Sequence, residues 1–302
     1  SYAYHYNACH DGAGMTPDVN RPLMGVKNGD PQAIHVQGGM AGANVTTLNS
    51  IMAVLGQTRM REVTEVINYH HYCAVMNSGG TAVSTNSGKG GVSPEHTSLG
   101  LKAITQPLIN WRNTYTPDAE IWCTEFGWDT RLTSGYHSDV YARNSYGNAN
   151  LAQANYLLRS FAILKGIGVD KAFMFMYRDP GSDNSRFATC GVTLNSGSPP
   201  TRKQSYYYIA TMQNVLGSLY FDKVEQEATG TPWIFNYSFK NTAPTTQRVY
   251  MLWCTDPSPT FDTGVTTANY QLNVPYMTSA QQRVCANNDL DGVNTVLTVQ
   301  NS

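Results

Sequence analysis

The sequence predicts an α/β protein, in which four strand–helix units with parallel strands between Ala33 and Leu216 precede a small antiparallel β segment that begins at Leu219. Three observations carry that prediction. β-Branched and aromatic runs alternate four times with segments whose apolar residues recur at helical spacing. After Leu219 the pattern changes to short alternating runs separated by Pro, Gly, Asn and Asp. The stretch IWCTEFGWDT, Ile121 to Thr130, drives an apolar strand straight into a glutamate, an aromatic and a glycine. Such a strand presents Glu125 at its carboxyl tip, where alternating strand–helix folds place their chemistry.

Each element follows from local signals. Asp30-Pro31 breaks the chain before a β-type run from Ala33 to Gln37, which Gly38-Gly39 stops. Leu48, Ile51, Met52 and Leu55 sit at helical spacing, with Asn44 or Thr46 as cap and Gly56 as stop. Val63 to Cys73 reads as the second strand, and the Gly/Ser/Thr/Asn-rich stretch Ala74 to Gly91 as a long loop that shapes a cleft. Ser93-Pro94-Glu95 opens a helix carried by Leu99, Leu101, Ile104, Leu108 and Trp111, which Pro107 is expected to kink or interrupt.

The Ile121 strand follows, then a Gly/Ser/Tyr loop from Leu132 to Gly147. Leu151 to Lys165 is a helix with Leu151, Ala154, Leu158, Phe161 and Ala162 on one face, ended by Gly166 and Gly168. Lys171 to Tyr177, KAFMFMY, reads as a fully buried strand, and Lys203 to Leu216 as the last helix of the repeat. The β-rich segment contains runs Trp233 to Phe239, Arg248 to Cys254 and Asn294 to Val299 and is expected to form a sandwich.

Composition narrows the function. With 302 residues and 41% hydrophobic content the chain builds a substantial core. Only 14% of residues are charged and the formal net charge is -1, so the field needed to hold nucleic acid or an anionic membrane is missing. No apolar run reaches the ~18 residues of a membrane span. The low charge, the abundance of Asn, Thr, Ser and Gly and the 19 tyrosines match extracellular carbohydrate-active proteins, and a secreted location is expected. No signal peptide opens the chain, and SYAYHYNACHDGAG reads as the middle of a domain.

Six cysteines without a C-x-x-C pair argue against a zinc site. Cys254 and Cys285 are placed to bridge strands of the β segment, whereas Cys73 and Cys123 read as buried thiols on neighbouring strands. The adjacent His70 and His71 cannot both face one ion from an extended strand, and neither a metal nor an organic cofactor is expected. Asn44-Val45-Thr46 and Asn236-Tyr237-Ser238 are glycosylation sequons of a secreted chain. Trp111 and Trp122 are expected in the core.

TEFGWDT resembles the seventh-strand motif of the retaining glycoside hydrolases of clan A, and the likeness extends in order and spacing from about Gly25 to Tyr220. The resemblance implies that residues 1–218 form the C-terminal half of a (β/α)8 TIM barrel, strands five to eight, and that residues 219–302 form the β-sandwich domain that commonly follows. It makes Glu125 the nucleophile. His70 and Tyr72, on one face of their strand, line the cleft, with Tyr72 bonding the nucleophile. Tyr177 takes the place of the aromatic sugar platform, and Trp128 and Asp129 are subsite residues. Arg178 either reaches the same rim or pairs structurally with Asp179.

Retention requires a second carboxyl group about 5 to 5.5 Å from the nucleophile. In the resembled family it is a glutamate after an asparagine on the fourth strand, and no Asn-Glu pair occurs in this sequence. The acid/base is therefore expected upstream of residue 1 or from a second chain. A half barrel exposes two sheet edges and an apolar interior, so a missing N-terminal half, a second chain or self-association is expected to cover it. The expected substrate is a polysaccharide or oligosaccharide; the alternative is a non-catalytic extracellular carbohydrate-binding or structural glycoprotein on a hydrolase-derived scaffold.

Overall fold

The structure, a computed structural model, describes residues 2–14, 20, 22–74, 91–131, 148–181, 187–242, 247–255, 267–274 and 277–297. The expected loops over Ala74 to Gly91 and Leu132 to Gly147 lie almost entirely outside the described residues, as do the last two residues of the run ending at Val299. The protein is mixed α/β with several sheets. Its contacts divide it into two compact units, one of Ser1–His71, Leu101–Phe126 and Ile167–Phe173, the other of Tyr72–Gly100, Gly127–Gly166 and Met174–Ser302.

The first unit is built on a parallel sheet of β1 (Val66–His70), β2 (Glu120–Glu125) and β3 (Lys171–Ala172), in sequence order. Val36 and Met40 add parallel bridges to Val66 and Tyr69 on the free side of β1, which is all that forms of the strand expected from Ala33 to Gln37. Side chains alternate as a pleated sheet requires. Ile67, Tyr69, Ile121 and Cys123 are completely buried, and the Tyr69 hydroxyl shares a 2.7 Å hydrogen bond with Thr105 of α5 (Leu101–Tyr115), which marks the helix-covered face. Asn68, His70, Trp122 and Thr124 occupy the opposite face and are partly exposed.

The helices of this unit follow their local signals. Before β1 stand α1 (Tyr2–Asp11), α2 (Val26–Gly29), α3 (Val45–Leu55) and α4 (Gln57–Val63). Asn44 caps α3 by accepting from the Thr46 and Thr47 N–H groups, worth about 1 kcal/mol. Gly56 ends α3 at φ +80°, a conformation open to glycine without strain. The chain then starts α4, so Val63 belongs to a helix and the second strand is shorter than expected: Met60 and Val63, at i and i+3, are both buried on one helical face. The next helix also differs. It begins at Leu101, after turns over residues 94–100, and runs through Pro107 without interruption. Pro107 is exposed, so the Ala103 carbonyl that loses its N–H partner lies toward the wet side of α5. Trp111 is in the core as expected, its indole N–H on Asn49 of α3.

Glu65, just before β1, ties this unit together. Lys27 Nζ donates to it at 2.5 Å and the His35 N–H at 2.6 Å. Burial works to raise its pKa, but these donors outweigh it and hold the carboxyl below its usual value. A depressed folded pKa means stability that is fully present above the unfolded value, near ~4.3, and lost as pH falls through the folded pKa. Glu65→Gln should therefore flatten the acid limb of stability below roughly pH 5, read from urea unfolding at a series of pH values. An unchanged acid limb removes Glu65 from that role.

The second unit holds α6 (Ala149–Gly166) and α7 (Gln204–Leu216), which pack on each other. It also holds an antiparallel sheet β4 (Tyr220–Thr229), β5 (Trp233–Lys240), β6 (Arg248–Thr255) and a hairpin of β7 (Ala280–Val284) with β8 (Val293–Leu297). Of the expected stripe on α6, Ala154 and Ala162 are buried, but Leu151, Leu158 and Phe161 do not form its buried side. Those three are only half-buried, while Ala152, Gln153, Tyr156, Leu157, Ser160 and Ile163 are inside. Gln153 is the reason that stripe misleads: its amide is fully buried because it donates to the Trp128 carbonyl at 2.8 Å and accepts from Ser205 of α7. In the antiparallel sheet, Trp253 of β6 stacks on Phe235 and Tyr237 of β5 with ring centroids 5.0 and 5.1 Å apart.

Two sequence expectations fail for reasons of pairing. KAFMFMY is not one buried strand. It pairs with β2 only as far as the Phe173 N–H, which reaches the Cys123 carbonyl, and from Met176 the chain bonds instead to residues 190–193. Phe173 and Tyr177 are 47% and 59% exposed. The six cysteines are all thiols: Cys254 and Cys285 are not joined, and the Cys285 thiol faces the Tyr208 carbonyl at 4.0 Å. Cys73, Cys123 and Cys190 are buried, and burial pushes the Cys123 thiol up to about 12.

Candidate active site

The carboxyl ends of β1 and β2 form the site. Pairing in register runs from Val66 with Glu120 to Tyr69 with Cys123, and then skips: the next partner of His70 is Glu125. β2 therefore carries one extra residue, Thr124, a bulge of the kind that re-aims side chains beside active sites. Period-2 alternation alone would send Glu125 under the helices with Ile121 and Cys123. With the bulge, Thr124 and Glu125 both reach the open face. Thr124 Oγ1 donates to Asn68 Oδ1 at 2.5 Å, and Glu125 Oε2 lies 3.5 Å from His70 Nδ1, within ion-pairing reach. The ladder resumes beyond the bulge, the His71 N–H donating to the Glu125 carbonyl at 2.9 Å.

Glu125 and His70 are each about a quarter to a third exposed, at 30% and 26% of the side chain. The carboxylate is thus held on one side and open on the other. Gly39 makes room for the imidazole: a methyl group at that position would collide with the His70 ring. The other acids around this sheet stand at its opposite end and are engaged. Glu65 precedes β1 and holds Lys27, Glu120 opens β2 and accepts the Trp122 indole N–H at 2.6 Å, and Asp170 precedes β3 and accepts the Ile121 N–H at 2.8 Å. Among the described acids of this unit, Glu125 is the one placed at the carboxyl ends of the strands, where a parallel sheet presents reactive groups.

The remaining expected site residues belong to the second unit, and several do other work. Trp128 is no subsite wall. It is completely buried, packs against Tyr156 and donates its indole N–H to the Val92 carbonyl at 3.0 Å. Asp129 is 1% exposed and accepts from the N–H groups of Phe187 and Thr189 and from the Thr189 hydroxyl, so its oxygens serve the backbone of that loop. Gly127 is a glycine because any side chain there would strike the Phe175 carbonyl. β1 ends at His70, and the Tyr72 ring packs against Phe187 at 4.6 Å and Phe175 at 6.4 Å.

Tyr177 presents its ring to solvent, and exposed Arg178 donates to the Asn195 carbonyl at 2.5 Å. The structural pair that Arg178 was weighed for is made by another cation: Asp179 binds Lys203 at 2.9 Å, both 3% exposed. Trp122 is not a core residue. It is partly exposed on the open face of β2 with Lys171 Nζ 4.2 Å from its ring centroid. Asn44 is exposed, although its side chain caps α3. Asn236 is 0% exposed in the central strand β5 and donates to the Tyr270 hydroxyl, which leaves no room for a glycan. Among the described residues, no three His, Cys, Asp or Glu side chains gather as a metal site, and no helix is long and apolar enough to cross a membrane.

Sequence reasoning passes over Asn68, reads Gly39 only as part of a strand stop and Thr124 only as part of the TEFGWDT motif. A bulge leaves no trace in the periodicity of one strand, because it is a relation between two.

No protein family matches the sequence, and no curated protein does. Among solved structures, the chain is similar to a family 1 β-glucosidase from Exiguobacterium antarcticum (11% identity, 57% of this chain and 41% of that one, TM-score 0.31). It is also similar to β-glucuronidase 2 from Bacteroides uniformis (12% identity, 76% and 26%, TM-score 0.37). A family 1 β-glucosidase from Thermotoga maritima is a third such neighbour (15% identity, 54% and 41%, TM-score 0.30). The chain spans less than half the length of each of these proteins.

Proposed function

We propose that this chain carries the nucleophile of a retaining glycoside hydrolase acting on an oligosaccharide or polysaccharide. The observation that supports it best is the placement of Glu125: a half-open carboxylate at the carboxyl end of the central parallel strand, beside an imidazole 3.5 Å away. In this reading the segment at Val36 to Met40 and strands β1 to β3 are strands five to eight of a (β/α)8 barrel within residues 1–218, and residues 219–302 are a β-sandwich. Tyr177 and Arg178 are substrate-binding candidates on the second unit. The protein works outside the cell. The acid/base carboxyl comes from outside the described residues, from a further barrel segment or a second chain, and the chemistry needs neither metal nor organic cofactor.

Capture with a 2-deoxy-2-fluoroglycosyl fluoride tests the nucleophile without the acid/base. The Glu125 carboxylate attacks the anomeric carbon, the C–F bond breaks, and fluoride departs needing no proton. The 2-fluorine slows hydrolysis of the ester that forms. Across gluco, galacto, manno and xylo fluorides, at least one should add one fluoroglycosyl group per chain, mapped to Glu125 by peptide mass. Sugar binding without such an adduct overturns the hydrolase reading and favours the non-catalytic carbohydrate-binding alternative.

A further inference from the structure

We infer that Thr124 and Asn68 act as a positioning pair that holds the β2 bulge and so keeps Glu125 on the open face beside His70. The inference rests on the nucleophile reading for its effect on catalysis, but its structural half stands apart from it. Two consecutive residues of one strand cannot share a face of a regular sheet, yet Thr124 touches Asn68 and Glu125 touches His70, and both partners belong to the same face of β1. The extra residue is thus the hinge on which the carboxylate turns.

A side-chain hydrogen bond and the flanking ladder fix the hinge. The Thr124 hydroxyl donates to Asn68 Oδ1 at 2.5 Å, one residue before the register changes. The backbone ladder constrains both sides of the bulge, through the Phe173 N–H on the Cys123 carbonyl and the His71 N–H on the Glu125 carbonyl. Between those two anchors the Thr124 hydroxyl ties the bulged residue to the neighbouring strand. Threonine suits the place: its branched Cβ restricts χ1, so the hydroxyl is aimed with little freedom to lose. Asn68 is itself partly exposed, and substitution there or at Thr124 removes little packing. Loss of the bond frees β2 to take the regular register, in which the Glu125 side chain faces away from His70.

The test uses Thr124→Val, which keeps shape and loses the donor, Thr124→Ser, which keeps the donor, Asn68→Leu, which loses the acceptor, and Asn68→Asp, which keeps it. In protein labelled at His and Glu, a nuclear Overhauser contact between the His70 ring and the Glu125 γ protons should be present in wild type, Thr124→Ser and Asn68→Asp. It should vanish in Thr124→Val and Asn68→Leu. Capture by the fluoroglycosyl fluoride should show the same split. The first-order labelling rate falls on the order of 10²-fold in the donor- or acceptor-free variants, the half-saturating reagent concentration is unchanged, and the conservative variants recover the rate.

Persistence of the His70–Glu125 contact in folded Thr124→Val and Asn68→Leu overturns the positioning role. If wild type itself takes no label at Glu125, the nucleophile reading fails, and the proton contacts still decide the bulge. Should Thr124→Val not fold, Asn68→Leu carries the same decision from the other side of the bond.

Discussion

Glu125→Gln is expected to fold like the wild-type protein and to lose covalent capture of the fluoroglycosyl group, by on the order of 10⁴-fold or more. The amide has nearly the same shape but no charge to attack the anomeric carbon. Stability should hardly change, within roughly 0.5 kcal/mol, because the side chain is 30% exposed and the neighbouring His70 is also partly solvated. Melting temperature and labelling rate, measured on the same preparation, separate the two effects. A Glu125→Gln protein that labels at wild-type rate removes Glu125 from the chemistry whatever the fold. One that no longer folds shows that the carboxylate is structural.

The largest stability effect is expected at Lys203. Its ammonium is 3% exposed and donates to Asp179 Oδ1 and the Thr189 carbonyl, each at 2.9 Å, and to the Thr130 hydroxyl at 3.2 Å. Burial lowers the Lys203 pKa and raises that of Asp179 despite their pairing, so each partner is pushed toward its neutral form. Desolvation outweighs mutual attraction here, the situation in which an ion pair adds little by itself but cannot be broken cheaply. Lys203→Met leaves Asp179 buried without its cation, still accepting from the Gly191 N–H at 2.7 Å, at a cost of about 3 to 5 kcal/mol. The double variant Lys203→Met/Asp179→Leu should recover a large part of that loss. Chemical denaturation of the three variants gives the coupling energy, and additive losses would show that the two groups are not a pair.

Much of the helical structure was legible because its signals are local. Asn44 caps α3 and Gly56 ends it, and α7 runs to Leu216 as its spacing indicated, because capping and helical periodicity are properties of a few consecutive residues. The tip position of Glu125 was legible for the same reason. What was not legible depends on partners far away in sequence. KAFMFMY looks like a buried strand until the chain from Met176 onward pairs with residues 190–193 instead of continuing beside β2. Trp128 and Asp129 follow the key glutamate closely, but whether they meet a sugar or a core is decided by Val92, Tyr156 and Thr189. Gln153 carries no local signal of its role and is a buried connector between α6, α7 and the Trp128 carbonyl.

The extra residue in β2 also bears on how this site can be gained or lost. Removing the single codon for Thr124 would close the register so that Glu125 follows Cys123 directly, still opposite His70 and still on the open face, whereas losing the bulge at unchanged length turns the carboxylate beneath the helices. Chemistry here is a matter of counting as well as of spelling: a homologous strand shorter by this one residue keeps its glutamate beside the imidazole, and one of equal length without the bulge does not.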